Sequence, residues 1–159
     1  MPRAELTAEP YAAGVPRWLP LVTMLLALAG LAVAGYLTVE HYTASATLAC
    51  PETGVVNCQK VTTSAQSTVV GVPVALLGLV FFGLMLAACV PAAWRYPHPA
   101  LRYGRLGFAV VGVGFVVYLV YAELFILDAI CLWCTGVHVL TVAIFAVIAF
   151  GAAVAEPGS

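Results

Sequence analysis

The chain has 159 residues, of which 64% are hydrophobic and only 8% charged, and its mean hydropathy is +1.07. A soluble domain carries charge on about a quarter of its residues, so that class is excluded. Six Lys and Arg against seven Asp and Glu give a formal net charge of -1. A run of phosphates could not be neutralised by so few cations, which excludes nucleic acid as a partner.

A membrane span needs about 20 apolar residues to cross roughly 30 Å of hydrocarbon. Four stretches of the chain qualify. The expected fold is an all-α integral membrane protein with a single membrane domain over 1–159, a bundle of four transmembrane helices at about 18–39, 70–94, 106–127 and 130–154. The first stretch is read as a helix and not as a signal peptide. Its apolar core exceeds the usual length of a signal h-region, although Ala44-Ser45-Ala46 has the composition of a cleavage site.

Residues 40–69 form a long polar loop between the first two spans. Val61, Ala65 and Thr68 or Val69 recur at helical spacing within it, so a short interfacial amphipathic helix is expected there. The second span ends at Pro91-Ala-Ala-Trp-Arg-Tyr-Pro-His-Pro99, whose three prolines cannot continue a helix. Cations set the orientation, because Lys and Arg gather on the cytoplasmic side. Arg3 and Arg17 precede the first span and Arg95, Arg102 and Arg105 join the second to the third, whereas the loop holds only Lys60. The expected location is the cell membrane, multi-pass, with both termini cytoplasmic and the 40–69 loop and the turn near Asp128 on the outer side.

On this topology the cysteines pair. Cys50 and Cys58 lie in the outer loop, and Cys131 and Cys134 open the last span from the same side, where disulfides form and persist. Cys131-Leu-Trp-Cys134 sets two sulfurs on adjacent turns of one helical face. A helix N-terminus also stabilises a thiolate and makes it a better attacking or leaving group. The alternative is a structural staple, for this pair as for the loop pair. A mobile loop pair beside a helix-borne pair suits thiol–disulfide exchange, which proceeds by thiolate attack on a disulfide sulfur.

The last helix continues to His138, on the face of Cys131 and Cys134. An ionisable residue inside a span is a functional candidate. A lipid-soluble quinone would suit a pocket with this histidine in its wall, and the alternative is a histidine bonded to a neighbouring helix. Glu123 and Asp128 either assist proton movement or, the preferred reading, are solvated at the interface. Tyr36, Tyr118 and Tyr121 read as packing or belt residues, and Cys89 as a small apolar filler.

These residues carry a resemblance to the vitamin K epoxide reductase family, in particular its small bacterial members without a fused thioredoxin-like domain. It runs from about Gly30 to Phe150. It rests on Tyr36-Leu-Thr-Val-Glu-His41, on Cys50, on Cys58 followed six residues later by Ser64, on Gly71-Val-Pro-Val-Ala-Leu-Leu-Gly78 and on Ile130-Cys-Leu-Trp-Cys134. The resemblance implies a four-helix bundle around a quinone of the menaquinone, ubiquinone or phylloquinone type. It also implies that a thioredoxin-like thiol protein on the outer face delivers electrons to Cys50 and Cys58, which pass them to Cys131 and Cys134. Cys58 would reach Cys131, Cys134 would deliver electrons to the quinone, and Ser64 would be a polar residue near the site. The periplasmic disulfide-forming oxidases place their C-x-x-C between the first two helices, the reverse of the order here. Where animal members carry Arg-Trp and a tyrosine, this chain has Ala65-Gln66 and His138. The implied reaction is therefore quinone reduction coupled to disulfide formation. A soft-metal transporter or sensor using four thiolates and a structural membrane protein with two staples are the rival readings.

Overall fold

The computed structural model describes residues 15–43, 49–96 and 98–154. Arg3, Ala44-Ser45-Ala46, Pro97 and both chain ends lie outside them. The first apolar run folds as α1, Trp18–Thr43. Thr23 and Thr38 are buried in it, and their hydroxyls donate to the carbonyls of Leu19 at 2.9 Å and Ala34 at 2.7 Å. Each polar group is thus satisfied inside its own helix, where water does not reach.

After the loop comes α2, Cys58–Thr62, started by Asn57, whose side-chain oxygen accepts from the Lys60 N–H at 2.8 Å. A 3-10 turn, Ala65–Ser67, follows. Then β1, Thr68–Val69, pairs antiparallel with β2, Val72–Pro73. The amphipathic helix expected through Val61, Ala65 and Val69 is therefore replaced by two short pieces and a hairpin. Its periodicity fails for a local reason. The Ser64 hydroxyl donates to the Val61 carbonyl at 2.7 Å, closing the chain at the end of α2. Val61 is buried, whereas Ala65 is exposed.

The second apolar run is divided. Its helix α3, Val74–Ala88, has 15 residues, about 22 Å of rise, where residues 70–94 were expected to be helical throughout. At its start, Val70 and Gly71 have positive φ of 52° and 79° and form the tip of the hairpin, a conformation that interrupts any helix. At its end, Pro91 opens a separate helix, α4, Pro91–Arg95, because proline lacks the N–H a continuing helix requires. Trp94 of α4 is buried, with the Arg105 guanidinium 3.9 Å from its ring centroid and an Arg105 N–H 3.4 Å from the Ala88 carbonyl.

The third run, α5, Pro99–Tyr121, carries Pro at its first position and is capped by His98. It passes directly into a π turn, Ala122–Ile126, so that it starts earlier than residue 106. The last helix, α6, spans Leu132–Val154. Among the described residues three helices, and not the four expected, are long and apolar enough to cross a membrane: α1, α5 with its π turn, and α6.

α1 packs on α3 and α6, and α5 lies along α6 with a smaller contact to α3. Phe82, Met85, Cys89, Ala109, Ile144 and Ile148 fill the space between them. Cys89 is fully buried there. A Cβ on Gly30 would stand 2.2 Å from the Phe82 ring, so only glycine admits that ring. Close approach through small residues is the main source of packing among membrane helices, since lipid tails are as apolar as the side chains. Leu21, Leu25, Leu28, Val111 and Val117 point outward and are exposed, as a lipid-facing surface requires.

Candidate active site

The end of the bundle at which α6 begins is closed by the loop itself. Asn57 N–H donates to the Ile130 carbonyl at 3.1 Å and Ile130 N–H to the Val55 carbonyl at 2.8 Å, a parallel bridge between residues 56 and 130. These backbone bonds bring Cys58 into the buried cluster that also holds Val61, Ala129 and Cys131. Cys50 is joined to Cys58 by a disulfide and packs at the edge of that cluster. Cys131 and Cys134 are free thiols.

The chain before Cys50 is held at Ala49, through both its N–H and its carbonyl. Ala49 N–H donates to the Tyr36 hydroxyl at 3.2 Å, and the Trp133 indole N–H donates to the Ala49 carbonyl at 2.9 Å. The rings of Tyr36 and Trp133 lie 5.0 Å apart. Tyr36, expected only to pack, thus ties α1 to the redox loop. Tyr118 and Tyr121 are exposed.

Cys131 immediately precedes α6, and its sulfur accepts the Cys134 N–H at 3.3 Å. It is the N-cap of the helix in sulfur form. The Cys131 thiol is pushed below its ordinary value, first by the hydrogen bond from the Cys134 thiol and then by the N–H groups of Cys134 and Trp133, which outweigh its burial. The sulfur itself has no exposed surface.

Beneath the loop a cleft opens between α1, α3, α5 and α6. It encloses about 720 Å³ including its mouth, and Cys134, Val137 and His138 line one wall. Clefts with apolar walls and a few polar groups are the usual form of a small-molecule site. Ala34 and Leu37 of α1, Gly78 of α3 and Leu119 of α5 supply the apolar walls. The polar groups are Thr62, Ser64, Gln66, Ser67, His41, Glu123 and His138. His138 is 7% exposed, and among the described residues its ring has no hydrogen-bond partner, so the alternative of a histidine bonded to a neighbouring helix finds no support there. Ser64 is at the cleft, but its hydroxyl is engaged with Val61.

Among the polar lining residues, the sequence does not single out His41 and Gln66 as site candidates, and it offers Glu123 with solvation as the preferred reading. Glu123, preferred as solvated, is 6% exposed; Asp128 is the exposed one. His41 closes the Tyr36 to His41 motif, which was a signal available in the sequence. Gln66 stands where animal relatives of the resembled family carry Trp, a second signal. Among the described residues no group of three or more His, Cys, Asp or Glu is arranged to hold a metal ion.

A search of curated proteins finds no match to the chain. The model of the vitamin K epoxide reductase family, by contrast, matches residues 21–149. That span takes in the redox loop, the free C-x-x-C pair and the cleft beside it, and the chain is a small, single-domain member of the vitamin K epoxide reductase family, a family of membrane thiol–disulfide oxidoreductases.

Proposed function

We propose that this protein is a membrane thiol:quinone oxidoreductase that supports disulfide formation. In this reading Cys50 and Cys58 oxidise the dithiol of a thioredoxin-like protein on the outer face, Cys131 and Cys134 take up the two electrons, and a membrane quinone of the menaquinone, ubiquinone or phylloquinone type is reduced. The observation that carries it is the shared wall of the cleft. Cys134 and an unpartnered His138 face one largely apolar space, while Cys131 belongs to the cluster of the loop cysteine Cys58. The two sulfurs of one pair thus address two different reactants.

The roles follow from exchange chemistry. A thiolate from the loop attacks the 131–134 disulfide at Cys131, and Cys134 leaves as the thiol that meets the quinone. His138 has an N–H free to bond a quinone carbonyl, which orients the ring against Cys134. Quinone chemistry supplies a two-electron acceptor dissolved in the bilayer.

In the same reading α3, lengthened by the hairpin and α4, completes a four-helix membrane bundle with both termini cytoplasmic and the cysteines outside. The Arg95, Arg102 and Arg105 cluster supports that orientation. The test is direct. Purified protein given a reduced thioredoxin-like dithiol and a soluble quinone should form quinol in proportion to thiol consumed. A soft-metal carrier would instead bind Cu(I) or Zn and form no quinol.

A further inference from the structure

Glu123 lies in the five-residue π turn that ends α5, where the Leu127 N–H reaches back to the Ala122 carbonyl at 2.9 Å. A π turn inserts one residue into the helical count, and such turns are frequent at functional sites. Here it turns Ala122 and Glu123 inward, both buried, while Leu124, Phe125 and Ile126 remain exposed. A carboxyl group is thereby set in the wall of the cleft that Cys134 and His138 also line. Burying a carboxyl in an apolar site is costly, and the fold needs none there: the Glu123 carbonyl, not its side chain, accepts the Ala129 N–H that shapes the turn.

We propose that Glu123 is the acid–base residue that carries a proton from the C-x-x-C pair to the quinone. The inference rests on the quinone reading above. When Cys131 and Cys134 form their disulfide, one S–S bond is made, two S–H bonds are lost and two electrons leave. A quinone becoming a quinol takes those two electrons and two protons. The Glu123 carboxylate accepts one thiol proton as the S–S bond closes and donates it to the quinone oxygen on its side of the cleft, returning to its starting form. The other thiol proton goes to water at the outer face, from which the second quinone oxygen is protonated.

Glu123→Gln separates this role from a structural one, because the amide keeps the size and polarity of the carboxyl but cannot carry a proton. The full-length protein is assayed in detergent with a soluble quinone across pH. Transfer from the loop pair to the C-x-x-C pair is followed separately by non-reducing peptide mapping. Glu123→Gln should lower kcat for quinol formation by about 100-fold or more, the usual scale of general acid–base catalysis, flatten its pH profile and leave the thiol exchange intact. Glu123→Asp should regain part of the rate and the pH dependence. A Glu123→Gln protein with the wild-type rate and profile overturns the proposal, as does one whose thiol exchange falls in step with quinol formation. Absence of quinol formation by the unaltered protein overturns the quinone reading itself.

Discussion

Replacing Trp133 with Phe tests how the redox loop is held. The indole N–H bond to the Ala49 carbonyl, 2.9 Å long, disappears, while a ring remains beside Tyr36. A single such bond contributes about 1 kcal/mol net, or about fivefold in the equilibrium between docked and released loop. Trp133→Ala also removes the 5.0 Å ring pair, a further loss of about 1 kcal/mol, so the docked state should weaken about 30-fold in all. Tyr36→Phe loses the bond from the Ala49 N–H and should match Trp133→Phe. Because both bonds hold the same residue, Ala49, the double variant should depart from additivity by about 0.5 kcal/mol or more. Amide hydrogen exchange over residues 49–58 measures the docking equilibrium in the detergent-solubilised protein. Exchange in Trp133→Phe identical to the unaltered protein, or Trp133→Ala no faster than Trp133→Phe, would refute the reasoning.

Impermeant thiol reagents added to reduced, intact cells should label Cys50 or Cys58, and a reporter at the C-terminus should read as cytoplasmic; labelling only after lysis contradicts the proposed orientation. His138→Ala should raise the apparent KM for quinone or lower the rate without altering exchange between the cysteine pairs, as steady-state kinetics with a soluble quinone will measure. Cys134→Ala removes the thiol that reverses the exchange, so a Cys58–Cys131 cross-link with Cys50 free should accumulate; Cys50 joined to Cys131 would contradict the order of transfer. The same substitution removes the main hydrogen bond that lowers the Cys131 thiol. The pH at which Cys131 becomes reactive should therefore rise, as measured by the pH dependence of its alkylation once the loop disulfide has been reduced.

Local features of the sequence were enough for the long helices and the cysteine pairs. Uninterrupted apolar runs define α1 and α6, and C-x-x-C spacing before a helix dictates that Cys131 caps it. The apolar run of α3 was less informative, because hydropathy does not register that Val70 and Gly71 turn the chain or that Pro91 restarts it. The helix expected through Ala65 failed on a single hydroxyl, that of Ser64. Glu123 illustrates a deeper obstacle. Ordinary helical counting from Tyr121 does not predict which face it takes, because the π turn shifts the phase by one residue and leaves no mark in the composition. Tyr36 and Cys58 owe their neighbours to contacts across the chain, with Ala49 and with the strand-like bridge to Ile130, and no local pattern encodes these.

That bridge also insulates. A sulfur with no exposed surface reacts only with a partner already inside the fold, and Cys131 is covered by the segment that delivers Cys58 to it. A small soluble thiol or peroxide must first break the bonds from Asn57 to Ile130 and from Ile130 to Val55, at a cost of about 1 kcal/mol each. In the loop disulfide it is the half-buried Cys50 that such a reagent can reach, since Cys58 has no exposed surface. In the proposed relay the same cover keeps soluble thiols from short-circuiting the transfer between the two cysteine pairs.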